Sequence, residues 1–418
     1  MKTEVIEEMK INSVEVIQIN CGIVNGGHRW HPVLVKVNTD EGICGYGEVG
    51  LAFGTGVSGA VGLTKDFAGL LLGMDPFNTE LIWETMYRNT VWGLGGGTII
   101  SAAMSGLDMA LWDIKGKALG VPVYKLLGGK CREDIRVYAS QLQYGWDQEE
   151  AWITPLDPSG DVEAWKPLKE PQEYAEVALK AVDLGYDCVK VDVLVYDSEG
   201  RRRNQSSFKG FLSAEIVRDG YERLQAIRDA VGPEVDIILE NHSLTDVTTA
   251  IQFGRACEGL NIMYYEEVTG PLNPKLTREI KEKVNIPIAG GERIYSRWGF
   301  RPFLEERSLD VIQPDIANSG GITEIKKICD MANIYDVCVQ PHVCGSPLAV
   351  AATLHLEAAI PNFIIHEHHR DSLVPRNIEI CKYDYQPVRG KYQVPELPGL
   401  GQEISAEAYQ KADIIVIK

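Results

Sequence analysis

The strongest constraint on the fold is a regular alternation of β-rich runs and amphipathic helical stretches that begins after Gly128 and Gly129. Each run ends in polar residues, and the stretches between runs have apolar residues at helical spacing. This alternation predicts parallel strands joined by helical crossovers, the pattern of an α/β fold. Eight runs share it, which is the number that closes a TIM barrel: DIRVYAS, DCVKVDV, VDIILENH, NIMYYEE, IPIAGGE, DVIQPDI, VCVQPHV and NFIIHEH.

An open doubly wound sheet is the rival architecture for the same alternation. A nucleotide-binding sheet of that kind carries GxGxxG directly after a strand. None of the eight runs is followed by this motif. The sequence therefore favours the barrel.

The first 130 residues have a different pattern. Strands separated by turns are predicted in 11–50, with a hairpin turn at 40–42, and helices in 58–127. This part of the chain reads as an α+β module. Its segment ISAAMSGLDMALWDIKGKALG places apolar residues on one helix face: Ala103, Leu107, Ala110, Leu111 and Ile114.

The chain loses the strand–helix alternation near residue 375 and becomes rich in Pro and Gly. We predict three parts, an N-terminal module at 1–130, the barrel at 131–374, and a tail at 375–418 that packs on the module. Insertions at 141–170 and 196–212 follow strand ends, so they are predicted to overhang the active-site face or to form surface or oligomer-contact loops.

Composition limits the partners. A formal net charge of −18 and a pI near 5.0 disfavour nucleic acid, which requires a basic surface. The nine cysteines form no CxxC pair, as expected of reduced thiols in the cytosol. No stretch approaches the length of apolar sequence that a membrane helix requires, and the charged N-terminus lacks the apolar core of a signal peptide. We predict a cytoplasmic protein that binds a small molecule.

Three strand-end glutamates predict a metal site. Glu240, Glu266 and Glu292 end three successive runs at intervals of 26 residues. Neighbouring parallel strands therefore present these carboxylates at the same height. Like charges that converge in a partly dry pocket repel one another unless a cation lies between them. Oxygen ligands favour a hard divalent ion such as Mg²⁺.

The next strand ends continue the series with Asp315, His342 and Glu367. Aspartate and histidine on adjacent strand ends can form a hydrogen bond that fixes the imidazole tautomer and raises its basicity. His342 with Asp315 is therefore a candidate general base. His242 lies two residues after Glu240, so an extended chain would point both side chains the same way, and His242 becomes a candidate general acid.

Lys190 and Asp192 occupy the corresponding strand end one strand earlier, and we predict that they bind substrate. Loops at 21–31, 51–56 and 141–170 are predicted to set substrate identity. Within them, His28, Trp30 and His31 are candidates for contact with a polar substrate, although an ordinary hairpin edge explains them equally well.

Taken in order, several segments resemble the enolase superfamily, in particular the acid-sugar dehydratases of its mandelate racemase subgroup. The resemblance implies a modified (β/α)₇β barrel with an N-terminal capping domain that the tail completes. Barrels of this family are often homo-oligomers, so we predict that this protein is one as well. The segments are MSGLDMALWDIKGKALGVPVYKLLGG, LENH, YYEE, AGGE, QPDIANSGG, QPHVCGSP, IIHEH and LPGLG.

The resemblance also implies roles for the residues above. Mg²⁺ would bind to the three glutamates, and His342 with Asp315 would remove the proton α to a substrate carboxylate. His242 would protonate the leaving β-hydroxyl, and Glu367 would support the enediolate. The implied reaction converts an aldonate of the galactonate or gluconate type into a 2-keto-3-deoxy acid.

Two alternatives share this scaffold. An epimerase, racemase or cycloisomerase would form the same enediolate. Racemases of the subgroup carry Lys-x-Lys on the second barrel strand, whereas this chain has Lys190-Val191-Asp192, which disfavours two-base racemisation. A catalytically silent regulatory relative is disfavoured because every chemical position is filled.

Overall fold

The structure is a computed structural model. Among the residues that it describes, no helix is long and apolar enough to cross a membrane. The predicted specificity loops and the first insertion lie partly outside that part. For Ile23, Val24, His28 and Arg29 only the backbone is described. The described residues are 9–19, 23–24, 28–52, 56–146 and 167–418.

The N-terminal module is an antiparallel sheet covered by helices. Residue Gly42, with φ of +78°, turns the chain between β4 and β5, as the sequence predicts. All five apolar residues of the predicted helix face are fully buried. The strands are β1 (Ile11–Gln18), β2 (Ile23–Val24), β3 (His28–Arg29), β4 (Val33–Thr39) and β5 (Cys44–Val49), and the helices are α1 (Val57–Leu71), α2 (Thr79–Asn89), α3 (Thr98–Leu119) and α4 (Val123–Leu126).

The centre of the molecule is a parallel sheet of eight strands, counted over the described ranges, with one α-helix between each strand and the next. Its strands are β6 (Asp134–Ser140), β7 (Cys188–Val191), β8 (Asp236–Glu240), β9 (Ile262–Glu266), β10 (Ile288–Gly290), β11 (Val311–Ile312), β12 (Cys338–Val339) and β13 (His366–His369). Its helices are α5 (Pro171–Asp183), α6 (Ala214–Val231), α7 (Val247–Cys257), α8 (Pro274–Lys281), α9 (Ser296–Glu305), α10 (Gly321–Ile334) and α11 (Pro347–Ala359).

The eight strands close into a ring. Consecutive strands pair in parallel from β6 to β12, and β13 pairs with β6. The Val339 N–H donates to the Asn362 carbonyl at 2.9 Å, and the Ile364 N–H donates to the Val339 carbonyl at 3.0 Å, which joins the seventh strand to the chain before the eighth. The predicted (β/α)₇β barrel is confirmed.

Strands β11 and β12 are shorter than the runs that predict them. Each run contains a proline, Pro314 or Pro341, two residues after the end of its strand, and the chain beyond pairs only through an isolated bridge between Asp315 and His342. Proline has no N–H to donate to a sheet, so regular pairing stops there. The chain beyond each proline still carries the functional side chains at the strand ends.

An apolar layer inside the barrel lies below the polar strand ends. Cys188, Ile238, Tyr264 and Ile365 belong to this cluster and are at most 1% exposed. Each of them precedes a polar strand-end residue by two positions, so the period of two along a strand places apolar and polar layers on the same inward face. The polar groups therefore have a dry floor.

The tail returns to the N-terminal module. Strand β15 pairs antiparallel with β1, and the Leu400 N–H donates to Asp113 of α3 at 2.8 Å. Strand β14, however, pairs with barrel strand β6, so the tail contacts both parts of the molecule. The boundaries after residues 130 and 374 stay predictions. The tail elements are α12 (Pro375–Ile378), β14 (Lys391–Gln393), α13 (Ala406–Lys411) and β15 (Asp413–Ile417).

Two buried carboxylates fix the module over the barrel. Glu48 of β5 accepts hydrogen bonds from the Ser346 N–H at 3.0 Å and the Ser346 hydroxyl at 2.5 Å, at the start of α11. Asp108 of α3 accepts from the Thr323 N–H at 2.9 Å, near the start of α10. Carboxylates at helix N-termini satisfy backbone N–H groups and interact favourably with the helix dipole. The module is thereby held above the ends of the barrel strands.

Candidate active site

The three predicted glutamates meet at one end of the barrel. Glu240 and Glu266 are the last residues of neighbouring strands and face each other in the β8–β9 register. Glu292 follows β10 by two residues. One carboxylate oxygen of each residue lies within 4.8 Å of the others, and the residues are buried or nearly so.

Residue Gly291 allows Glu292 to turn towards the other two glutamates. Its φ is +154°, a conformation that side-chain-bearing residues rarely adopt. A Cβ at this position would lie 2.6 Å from the backbone nitrogen of Gln313. The backbone of the neighbouring strand thus leaves room for glycine alone.

The electrostatics of the cluster fit a cation. Burial raises the pKa of Glu266 well above its ordinary value, and the nearby Glu240 carboxylate raises it further. Burial also raises the pKa of Glu292. Glu266 Oε2 is buried and accepts no hydrogen bond from the described residues. A divalent ion between these oxygens would relieve the repulsion and satisfy the oxygen that lacks a donor.

Lys190 and Arg293 bring positive charge to this group of carboxylates, and Arg293 is paired with Glu292 and Glu267. Lys190 contacts three of the group. Its Nζ lies 2.7 Å from Glu266, 2.8 Å from Glu367 and 3.2 Å from Glu240. Glu367 also accepts hydrogen bonds from the Ser140 hydroxyl at 2.7 Å and the Val343 N–H at 3.1 Å. Two cationic side chains do not balance the four carboxylates of Glu240, Glu266, Glu292 and Glu367, so the site keeps a net attraction for cations.

His342 and Asp315 lie on adjacent strand ends and form a hydrogen-bonded pair. The His342 Nδ1–H donates to Asp315 Oδ2 at 2.6 Å, and the other ring nitrogen lies 3.5 Å from Glu292. Burial lowers the pKa of His342, but Glu292 and Asp315 together raise it to about 10. A cation on Glu292 would cancel part of that effect and favour the neutral imidazole that a base requires.

His242 and Asp192 form a second pair of the same kind. The His242 Nδ1–H donates to Asp192 Oδ2 at 2.8 Å, and Asp192 Oδ1 accepts the Leu194 N–H at 3.0 Å. Burial lowers the pKa of His242, but Glu240 and Asp192 raise it to about 9. These two carboxylates favour the imidazolium form, and a cation on Glu240 would cancel the part of the effect that comes from Glu240.

Sequence analysis predicts an extended backbone at His242, but the chain turns there. Strand β8 ends at Glu240, and His242 has a φ of +43°. The Glu240 carboxylate accepts the backbone N–H of His242 at 2.7 Å, which holds this turn. Both side chains still line one cavity, but a tight turn rather than strand periodicity directs them there.

A cavity of about 360 Å³ opens above the strand ends. Residues of the N-terminal module form part of its wall, since Leu51, Ala52 and Thr98 line it. Sequence analysis did not single out six residues of this wall. Thr98 is one of them, and the other five lie within four positions of a predicted strand-end residue, a proximity that could have identified them: Arg293, Tyr295, Asn318, Cys344 and His369.

The remaining predicted residues are placed differently. The described cavity wall does not include Trp30 or His31; Trp30 is only 2% exposed and belongs to the hydrophobic core. The His28 backbone forms part of β3, and its side chain lies outside what is described, as do residues 147–166 of the first insertion. Substrate binding by His28, Trp30 and His31 stays a prediction.

A capped eight-stranded barrel with three convergent carboxylates and two histidine–aspartate pairs defines a class of barrel enzymes. Comparison with known families gives the same class. The profile described as mandelate racemase / muconate lactonizing enzyme, N-terminal domain, matches residues 13–128, and the profile described as enolase C-terminal domain-like matches residues 173–408. The chain belongs to the enolase superfamily, in its mandelate racemase and muconate lactonizing enzyme family.

Individual relatives cover nearly the whole chain. D-galactonate dehydratase of Variovorax paradoxus is 33% identical, over 91% of this chain and 90% of its own. D-xylonate dehydratase of Haloferax volcanii is 30% identical, over 96% of this chain and 89% of its own. A crystal structure of an enolase superfamily member from Salmonella Typhimurium is 56% identical, with a TM-score of 0.90 over 98% of this chain and 100% of that one.

Proposed function

We propose that this protein is a Mg²⁺-dependent dehydratase of a sugar acid. The observation that carries the proposal is the pair of histidine–aspartate dyads on opposite sides of one carboxylate cluster. His242 follows β8 and His342 follows β12, and these strands lie four positions apart in a ring of eight. The relatives named as D-galactonate and D-xylonate dehydratases support this assignment.

Glu240, Glu266 and Glu292 would hold the metal ion. Their donor set is oxygen alone, which hard Mg²⁺ prefers. When bound, Mg²⁺ supplies Lewis-acid stabilisation of the negative charge that develops on the substrate carboxylate. The Lys190 ammonium, which contacts two of these glutamates, lies beside the same charge and stabilises it electrostatically.

His342 acts as the general base. Its Nδ1–H is bound to Asp315, so Nε2 faces the cavity and takes the proton from the carbon α to the carboxylate. The electron pair of that C–H bond passes into the enediolate. Asp315 fixes the tautomer and stabilises the imidazolium that results.

His242 acts as the general acid. Asp192 holds its Nδ1–H, and its Nε2 lies 3.3 Å from the Gln141 amide nitrogen at the cavity wall. As imidazolium it donates a proton to the β-hydroxyl, which leaves as water while the enediolate electrons form the C–C double bond. The enol product tautomerises to a 2-keto-3-deoxy acid.

The cavity favours a substrate with a single carboxylate. The described cavity wall contains one lysine, Lys190, and one arginine, Arg293. Arg293 is already paired with Glu267 and Glu292, so its charge is compensated. Tyr295, Asn318 and Thr98 offer hydroxyl and amide groups to a polyol chain. An aldonate matches this wall better than an aldarate with a second carboxylate.

A substrate screen tests the proposal. The full-length protein would be incubated with Mg²⁺ and a stereochemically complete set of aldonic and aldaric acids, with detection of 2-keto-3-deoxy acids. We expect one aldonate, or a small group of epimers, to lose water. Racemised or epimerised acids with no loss of water, or no Mg²⁺-dependent turnover of any acid, would contradict dehydration.

Two variants separate the histidine roles. In ²H₂O, His342→Asn should abolish both dehydration and α-deuterium exchange, because no base remains. His242→Asn should abolish dehydration but still permit exchange at the α-carbon. A general acid or base typically contributes about 10²–10⁴-fold in rate. Loss of exchange in His242→Asn with its retention in His342→Asn would reverse the two assignments.

A further inference from the structure

A second cluster of metal-ligating side chains lies beside the glutamate cluster. One ligand atom each of Cys344, His369 and Asp371 lies within 4.8 Å of the others, and all three residues are partly exposed. None of them belongs to the proposed Mg²⁺ site or to the histidine–aspartate pairs. We propose that this cluster is a second metal site, selective for a thiophilic divalent ion of the zinc class.

The fold brings the three residues together from two neighbouring strand ends. Cys344 lies two residues after His342 in the loop that follows β12, and His369 is the last residue of β13. Asp371 lies in the short 3₁₀ turn after β13. The Asp371 N–H donates to His369 Nδ1 at 3.2 Å, and the Asp371 carboxylate lies 3.6 Å from the same nitrogen. The ring and the carboxylate are therefore held side by side.

The donor set distinguishes this cluster from the glutamates. Thiolate and imidazole are ligands of zinc and similar ions, whereas Mg²⁺ prefers oxygen. Three protein ligands leave a fourth position of a tetrahedral ion open to water or another small ligand. A borderline divalent ion is therefore the class of cation that this site would select.

The surrounding charge favours a cation. Burial raises the pKa of the Cys344 thiol well above its ordinary value, and the carboxylates of Asp371, Glu367, Asp315 and Glu292 raise it further. A cation bound here would offset these carboxylates and take the thiolate form of Cys344 as a ligand, with release of the thiol proton.

The cluster also has an entry path. Cys344 and His369 line the same cavity of about 360 Å³ as the glutamates. An ion could therefore reach the ligands from solvent through this opening, and it would lie at the cavity wall when bound.

Cobalt(II) absorbance tests the site without relying on turnover. The full-length protein, stripped with a chelator, would be saturated with Mg²⁺ and then titrated with Co²⁺. We expect a near-ultraviolet thiolate-to-cobalt charge-transfer band at one equivalent, which only a sulfur ligand produces. Excess Mg²⁺ should leave the band unchanged, and one equivalent of Zn²⁺ should remove it. A saturated protein without this band would overturn the proposal.

Variants assign the band to the cluster. Cys344→Ser should abolish it, and Asp371→Asn should weaken Co²⁺ binding by at least about tenfold, the smallest loss usual when a metal site is perturbed. Cys131→Ser, at an exposed cysteine elsewhere, should preserve the band. Glu266→Gln should also preserve it, which separates this site from the proposed Mg²⁺ site. A band that persists in Cys344→Ser, or disappears in Glu266→Gln, would contradict the assignment.

Discussion

Asp192 shows how a side chain can act through another residue. Sequence reasoning proposes it as a substrate ligand because it lies two positions from Lys190. In the structure it is 1% exposed, and its carboxylate is engaged by the His242 ring and by backbone N–H groups. We therefore infer that Asp192 positions His242 and keeps it protonated, as Asp315 positions His342.

Substitution Asp192→Asn tests this positioning role. Asp192 and Glu240 raise the pKa of His242 to about 9 against the effect of burial. Loss of the Asp192 charge lowers this pKa, so the imidazolium is lost at lower pH. We expect kcat to fall by about 10²-fold at neutral pH. The alkaline limb of the pH–kcat profile should move to lower pH.

The matched control is Asp187→Asn, just before the opposite end of β7, where the carboxylate forms an exposed ion pair with Arg136. This variant should keep the wild-type profile, because exposed pairs contribute little. An unchanged alkaline limb in Asp192→Asn would show that Asp192 does not set the protonation of His242.

Some catalytic groups are aligned by strand register alone, whereas others depend on particular residues outside the site. Glu240 and Glu266 end regular strands, where the register alone aligns them. Glu292 depends on the conformation of Gly291, and the position of the N-terminal module depends on Glu48 and Asp108. Single substitutions at these connecting positions should therefore affect the site from outside it.

Substitution Gly291→Ala should disturb the turn that presents Glu292. A side chain at φ of +154° is strained, and its Cβ would lie 2.6 Å from the Gln313 backbone nitrogen. We expect a loss of about 1–3 kcal/mol in the free energy of unfolding. Mn²⁺ binding, followed by electron paramagnetic resonance, should weaken as well. Gly290→Ala is the control, since its nearest contact would be an ordinary 3.6 Å to Leu309. Equal stability of the two variants would refute this prediction.

Substitution Glu48→Gln should change how stability depends on pH. Burial raises the pKa of Glu48 from 4.5 to about 7, against the lowering effect of the Ser346 hydrogen bonds. Between these values the folded protein holds a proton that the unfolded chain releases. The contribution of Glu48 to stability is complete below pH 4.5 and falls by about 1.4 kcal/mol per pH unit up to about pH 7.

Melting temperatures of wild type and Glu48→Gln across this pH range measure the effect. The advantage of the wild type over the variant should shrink as pH rises, because glutamine does not titrate. A constant difference between the two proteins would contradict the raised pKa.

The C-terminal tail contacts both the N-terminal module and the barrel. The last strand, β15, joins the sheet of the N-terminal module, and β14 adds to barrel strand β6. The tail therefore links the module and the barrel, in addition to the contacts of Glu48 and Asp108. The predicted homo-oligomeric state stays a prediction.

Removal of residues 412–418 should destabilise the module and promote aggregation. The truncation deletes β15 and leaves β1 as an exposed edge with unpaired backbone groups. We expect a lower melting temperature and increased light scattering on heating. Val416→Lys is the control, because Val416 is 51% exposed and the substitution retains backbone pairing. Wild-type behaviour of the truncated protein would show that β15 is dispensable.

Local periodicity explains how much of this protein could be predicted from the chain. The alternation of apolar and polar residues in a strand can be read from positions close together in the sequence. The carboxyl ends of parallel strands meet at one face of a barrel. These two regularities predict the barrel and the convergence of Glu240, Glu266 and Glu292, and they predict the adjacency of Asp315 and His342. No contact between distant segments is needed for either inference.

Other features depend on how distant segments pack. Glu48 and Ser346 are separated by 298 residues, with no periodic relation between them. The participation of β14 in the barrel sheet and of Thr98 in the cavity wall is of the same kind. Such contacts depend on the tertiary structure, because the two residues come within contact distance only when the helices and strands between them have packed.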